Sequence, residues 1–283
     1  MAEILVVANR TVTGQKLLDA MLAHAAKGET TFRFVVPATK PSSGLIIYDD
    51  AVRQSAEARV ELATSIFAQA GLKASGEVGD PDPFMATMDA VAHRRPQAII
   101  VSTYPATHSG WQRRDLIDRI HNATGLPVEH VVTDVQHEGL PFHATLVVAN
   151  KTSSGEELIE RLQEKAAADS ERHVFIAVVP LEDGSGAATR RAHARLAAML
   201  ERLHEVGLIA TGMIGDPDPY TAVMNALELF TVVDDIVIST LPDERSGWMR
   251  SDLVGRVRSH TQVPVEHVVV PEGEAAQAAG ALG

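Results

Sequence analysis

The sequence is notable first for what it lacks. There is no cysteine among its 283 residues. Disulfides, thiolate metal sites and cysteine nucleophiles are therefore excluded together. Aromatic residues make up only 4% of the chain. No run approaches the roughly 20 apolar residues that a membrane-spanning helix requires. The first ten residues, Met1 to Arg10, carry no basic segment and turn polar after one strand's length, so no secretory leader is expected there. Basic charge is also scarce. The formal net charge is −12, from 25 Lys+Arg against 37 Asp+Glu. Residues 1–140 hold 13 basic and 16 acidic side chains, and residues 141–283 hold 12 and 21, so neither half has a basic footprint. The composition points to a cytoplasmic protein without nucleic-acid or membrane partners. The apolar fraction of 45% is ample for packed cores, and the length suits two domains.

What is present is a tandem repeat. Gly79-Asp80-Pro81-Asp82-Pro83-Phe84 returns as Gly215-Asp216-Pro217-Asp218-Pro219-Tyr220. The window Ser102 to Val132 returns as Ser239 to Val269, with 17 of 31 positions identical. Leu5 to Thr11 returns as Leu146 to Thr152. A period near 140 residues is domain-sized, which makes this a duplication and not a solenoid. Two domains are expected, 1–135 and 143–271, joined by a connector near Asp134 to Phe142 that carries Gly139 and Pro141.

Each copy alternates continuous apolar runs with amphipathic stretches. Ile4 to Ala8 and Ala98 to Ser102 read as strands buried on both faces. Leu17, Leu18, Met21, Leu22 and Ala25 mark one helix face, and Val52, Ala56, Val60, Ala63, Phe67 and Ala70 mark another. Asp82 with Pro83 reads as a helix start. The second copy predicts strands at 143–149, 173–180, 208–214, 235–240 and 263–270, with helices at 154–168, 186–206, 219–230 and 247–260 between them. This alternation predicts α/β domains with parallel sheets and helices on both faces. Ligands of such sheets bind at the carboxyl ends of the strands, where the strand order reverses.

The order of elements, the Gly-Asp-Pro before the third helix and the apolar strand ending in Ser-Thr resemble the universal stress protein family in its tandem form. The resemblance implies two five-stranded sheets of order 3-2-1-4-5, packed as a pseudo-two-fold pair through their last strands, Leu126 to Val132 and Val263 to Val269. It also implies a stress-related binding module, and for many members an adenine nucleotide such as ATP. Asn9 and Asn150 stand where the family often has an aspartate. Val36 and Val179 fall at the position after the second strand, and Gly79 and Gly215 match the glycine before the third helix. The glycine-rich phosphate loop of the nucleotide-binding members is not reproduced. Pro105 stands near its first glycine, and Arg114-Asp115 near its Gly-Ser pair, and the second copy departs likewise.

The residues themselves offer candidate ligand contacts at the first strand-to-helix turn: Asn9, Arg10 and Thr11, and Asn150, Lys151 and Thr152. Their plain alternative is turn and cap bonding. Gly79 with Asp80, and Gly215 with Asp216, read mainly as a helix start with a minority ligand role. Ser102 and Ser239 end the fourth strand. Ser109, Gly110 and Arg113, and Ser246, Gly247 and Arg250, sit at the start of the last helix. There, exposed amides and a guanidinium suit a small phosphorylated ligand, although the Ser as a cap with the Arg as an ion-pair partner is the favoured reading of the pair. Among the histidines, His108, His121, His130, His137 and His143 show no metal-ligand spacing such as HExxH, and no metal site is expected. No catalytic motif occurs, so the expectation is binding without turnover. Alternatives are a protein-interaction scaffold with vestigial pockets, and a nucleotide-dependent transferase. Homo-oligomerisation is compatible with the family resemblance.

Overall fold

The computed structural model describes residues 2–38, 49–105, 113–138, 142–168, 172–230, 232–242, 248 and 252–271. The first copy runs β1 (Ala2–Val7), α1 (Gln15–Ala25), β2 (Thr30–Pro37), α2 (Asp49–Gln69), β3 (Lys73–Gly79), α3 (Pro83–His93), β4 (Ala98–Thr103), α4 (Arg113–Thr124) and β5 (Val128–Val132). A single helical turn, α5 (Val135–Glu138), lies in the connector, where the sequence pattern predicts none. Its first turn is tied by the Glu138 amide donating to the Asp134 carbonyl at 2.8 Å. The second copy runs β6 (His143–Val148), α6 (Glu156–Ala168), β7 (His173–Pro180), α7 (Gly186–Glu205), β8 (Ile209–Gly215), α8 (Pro219–Leu229), β9 (Asp235–Thr240), α9 (Leu253–His260) and β10 (Val265–Val269).

Two five-stranded sheets result, of order β3-β2-β1-β4-β5 and β8-β7-β6-β9-β10, and every pairing is parallel. The expected order 3-2-1-4-5 is thus present in both copies. Grouped by proximity, the chain forms two compact units, Met1–Lys40 with Ser55–Pro141 and Pro41–Gln54 with Phe142–Gly283.

The aliphatic runs dictate which strands are central. Leu5, Val6, Val7, Ile99, Ile100 and Val101 are fully buried in the first unit, and Leu146, Val147, Val148, Ile236, Val237 and Ile238 in the second. Both faces of these strands are covered by helices, as continuous apolar patterning demands. In the second unit α6 and α7 cover one face through Leu158, Ile159, Leu162, Leu196, Met199 and Leu203, packed on Phe175, Ala177 and Val179. A buried cation, Arg33 on β2, is fully engaged. It bonds the Glu3 and Glu77 carboxylates at 3.2 and 3.0 Å and the carbonyls of Ala90 and Arg94 at 3.0 and 2.7 Å. It ties three strands to the end of α3.

The repeated Gly-Asp-Pro-Asp-Pro builds the same device twice. Asp82 Oδ1 accepts the amides of Phe84 and Met85 at 2.8 and 3.0 Å, with Pro83 in the first turn. Asp218 Oδ2 accepts the amide of Thr221 at 3.1 Å. Asp80 and Asp216 each accept the amide two residues ahead, at 2.8 and 2.9 Å. Gly79 and Gly215 let the strand approach the following helix. A Cβ on Gly215 would stand 2.6 Å from Ala222 Cβ, and one on Gly79 would stand 2.8 Å from Ala86 Cβ.

Candidate functional site

The turn after the first strand of each copy has the same backbone bonds. The Asn9 carbonyl accepts from Val12 at 3.1 Å and the Thr11 carbonyl from Gly14 at 3.1 Å. The Asn150 carbonyl accepts from Ser153 at 3.2 Å and the Thr152 carbonyl from Gly155 at 3.1 Å. The side chains of this turn therefore stand at the carboxyl end of the central strand, beside the ends of β4 or β9.

In the second unit a cavity of about 360 Å3 opens at this point. Asn150, Lys151, Thr152 and Ser239, all expected from the sequence, line it. Leu181, Glu182, Pro217, Thr240, Leu241 and Trp248 complete the wall. Thr152 Oγ1 donates to the Ser239 carbonyl at 3.2 Å, fixing the turn against the end of β9. Ser239 is 1% exposed, and its Oγ has no partner among the described residues. A buried hydroxyl without a partner is uncommon and calls for an explanation. The first copy supplies the contrast. There Ser102 Oγ lies 3.2 Å from Thr133 Oγ1. Thr133 corresponds to Val270 in the repeat, which has no hydroxyl to offer.

Two residues that the motifs did not single out organise the cavity's charge. Arg195 on α7 donates to Asn150 Oδ1 at 2.6 Å and to Glu182 Oε1 at 2.9 Å. Arg191, one turn earlier, donates to Glu182 Oε2 at 2.6 Å. Asn150 Nδ2 in turn donates to the Pro180 carbonyl at 3.0 Å. Burial pushes the Glu182 carboxyl up, but the two guanidinium groups outweigh it and hold it below the usual range. The one signal that could have found Arg195 is the repeat. Arg59 on α2 precedes it by the same 136 residues that separate Gly79 from Gly215. Arg59 is 2% exposed. Burial disfavours its charge, the nearby Arg10 adds to this, and Tyr104 acts the other way. The first copy has Thr39 where the second has Glu182, so only the second copy's arginine meets a carboxylate from that position.

The remaining candidates fall elsewhere. Val36 and Val179 are fully buried in β2 and β7, and Val179 belongs to the core beneath α6 and α7. Gly79 and Gly215 serve close packing, and their carbonyls accept the amides of Ala38 and Leu181 at 3.2 and 3.1 Å. Asp80 and Asp216 hold the helix-start turns described above. Ser109, Gly110, Ser246, Gly247 and Arg250, with the side chain of Arg113, lie outside the described residues. His130 and His267 sit at equivalent edge positions, each with Nε2 at 2.9 Å from the hydroxyl of Thr103 or Thr240. None of the described helices is long and apolar enough to cross a membrane.

No family model matches the chain, and no curated protein matches it. Among solved structures it is similar to a universal stress protein from Archaeoglobus fulgidus DSM 4304, at 16% identity over 96% of this chain and 97% of that one, with a TM-score of 0.35. It is also similar to a protein from the universal stress protein family from Burkholderia pseudomallei, at 17% identity over 46% of this chain and 98% of that one, with a TM-score of 0.34.

Proposed function

We propose that this chain is a stress-related regulatory module that holds a small phosphorylated molecule, an adenine nucleotide such as ATP in the first instance, without turning it over. The observation that carries the reading is the cavity at the carboxyl ends of β6, β7 and β9, with the unpartnered Ser239 hydroxyl in its lining. Its volume of about 360 Å3 lies in the range of small-molecule sites. Lys151 supplies an exposed cation, Thr152 and Ser239 supply hydroxyls, and Trp248, Leu181 and Leu241 supply apolar wall. Such a lining suits a ligand with one apolar ring and one anionic end.

Catalysis finds no support in the cavity's lining. Among the described residues its one carboxylate, Glu182, is engaged by two arginines and is poorly placed to act as a general base. The departure of the loop after Thr240 from the glycine-rich form favours a second reading, an interaction scaffold with a vestigial pocket.

Native mass spectrometry of the protein as purified, followed by calorimetric titration with ATP, ADP and AMP, separates the readings. The proposal expects saturable binding that Lys151→Ala weakens by about 10- to 150-fold, since a hydrogen bond to a charged group is worth about 1.5–3 kcal/mol. It expects phosphate release no faster than a buffer blank. No binding at millimolar nucleotide would overturn it in favour of the scaffold, and multiple turnovers would promote a transferase.

A further inference from the structure

At the opposite end of the second sheet, the first residues of three neighbouring strands meet. His143 opens β6, His173 opens β7 and Asp235 opens β9. Their placement on one face follows from register. His143 pairs with His173 and Thr145 with Asp235, and in a parallel sheet paired residues point to the same side. His143 and Thr145 are two apart on one strand, so they share that side as well. The outcome is two imidazoles and one carboxylate whose ligand atoms all lie within 4.8 Å of one another. His143 Nε2 is 3.0 Å from Asp235 Oδ2. His173 is stacked on Phe175 at 4.6 Å between ring centroids, and Thr145 Oγ1 lies 2.6 Å from its Nε2, so the ring is held from two sides. The corresponding residues of the first copy are Ala2, Thr30 and Ala98, so the first copy has no counterpart of this cluster.

We propose that His143, His173 and Asp235 bind one divalent transition cation, with zinc the first candidate. Two imidazole nitrogens and a carboxylate oxygen are donors that suit zinc and its first-row neighbours and do not suit magnesium or calcium. Ligand atoms about 2.0–2.2 Å from a tetrahedral zinc stand about 3.3 Å from each other. The His143–Asp235 separation of 3.0 Å is close to that length, and, with all three ligand atoms within 4.8 Å of one another, the third must close by at most about 1.5 Å. Three protein ligands leave a fourth position for water. Asp235 also keeps one buried oxygen, Oδ1, that has no partner among the described residues.

A competing cation sits beside the cluster. Lys165, from α6, places Nζ 3.1 Å from Asp235 Oδ2 and 3.2 Å from Glu266 Oε2. Metal entry displaces Lys165 from Asp235 and leaves it on Glu266, which also pairs with Arg161. Asp234, with Oδ2 at 4.0 Å from His143 Nδ1, adds negative charge nearby. Lys165 therefore lowers the affinity without abolishing the site, and this supplies the decisive variant.

The test is calorimetric titration of the chelator-treated full chain with zinc chloride, paired with the visible spectrum of the cobalt(II)-loaded chain. One equivalent of zinc should bind, and cobalt should give the d–d bands of a low-coordinate nitrogen and oxygen site. His143→Gln, His173→Phe and Asp235→Asn should each weaken zinc binding by more than about 100-fold, beyond what losing an outer partner costs. Lys165→Met should tighten it by about tenfold or more through loss of the competing charge. Circular dichroism establishes that each variant is folded. His143→Gln and Lys165→Met change half-buried or peripheral side chains, so they keep the test informative if His173→Phe unfolds. Zinc binding that survives in folded His143→Gln and Asp235→Asn, or no saturable binding in the wild type and in Lys165→Met, would overturn the site. The cluster would then be a plain hydrogen-bonded ion-pair network.

Discussion

At the scale of single residues, the two copies show how one substitution changes what a neighbour must do. Ser102 and Ser239 are equally buried at the ends of equivalent strands. Ser102 shares a bond with Thr133, whereas Val270 replaces that threonine and turns its methyl groups toward Gly155. Ser102→Ala should therefore cost about 0.5–1.5 kcal/mol in urea unfolding, the net worth of a neutral hydrogen bond. Ser239→Ala should cost nothing or stabilise the protein slightly, because it removes a buried hydroxyl that lacks a partner. The same variant should weaken a cavity-bound ligand by about three- to tenfold if that hydroxyl is a ligand contact. A stability loss in Ser239→Ala equal to that in Ser102→Ala would show that the hydroxyl is already satisfied within the protein. The serines were legible as candidates because each ends an apolar strand. Their difference was not, because it depends on a residue 31 positions away on the neighbouring edge.

At the scale of elements, most of the architecture was legible because parallel strands covered on both faces leave continuous aliphatic runs. The predicted strands 173–180 and 235–240 match β7 and β9 to the residue. The helix starts at Pro83 and Pro219 follow from an aspartate cap and a proline whose missing amide costs nothing there. Asp82→Ala and Asp218→Ala should each lower stability by about 1 kcal/mol in chemical denaturation. What the pattern could not give were contacts between helices. Arg119 lies 4.1 Å over the Phe84 ring, and Arg256 lies 4.3 Å over the Tyr220 ring, tying α4 to α3 and α9 to α8 at equivalent places. Arg256→Ala should lower the melting temperature, with about 0.5–2 kcal/mol at stake, and Arg256→Lys should recover only part of it. The histidine and aspartate cluster escaped sequence reading for a related reason. Its members stand 30 and 92 residues from His143, so no local spacing marks them.

At the scale of the whole molecule, duplication has produced two sheets of the same order whose carboxyl ends differ in charge. In the second unit Arg195 is bonded to Asn150 and neutralised by Glu182, which Arg191 also holds. In the first unit the corresponding arginine is buried near a second cation, Arg10. The network of the second unit has a definite pH signature. The carboxyl of Glu182 is held below its ordinary value of 4.5 in the folded protein, so the folded state binds fewer protons than the unfolded chain near that pH. Its stabilising contribution is therefore fully present above about pH 4.5 and is lost as the pH falls through the lower folded value. Glu182→Gln removes the charge while keeping most of the shape. At pH 7 the variant should be less stable than the wild type by about 1 kcal/mol, the upper end for ion pairs that remain in contact with water. Unfolding measured from pH 7 downwards should show this gap constant to about pH 5 and shrinking below it, until the two proteins coincide in acid. A gap independent of pH would assign the loss to packing of the side chain, and would remove Glu182 from the electrostatic account of the cavity.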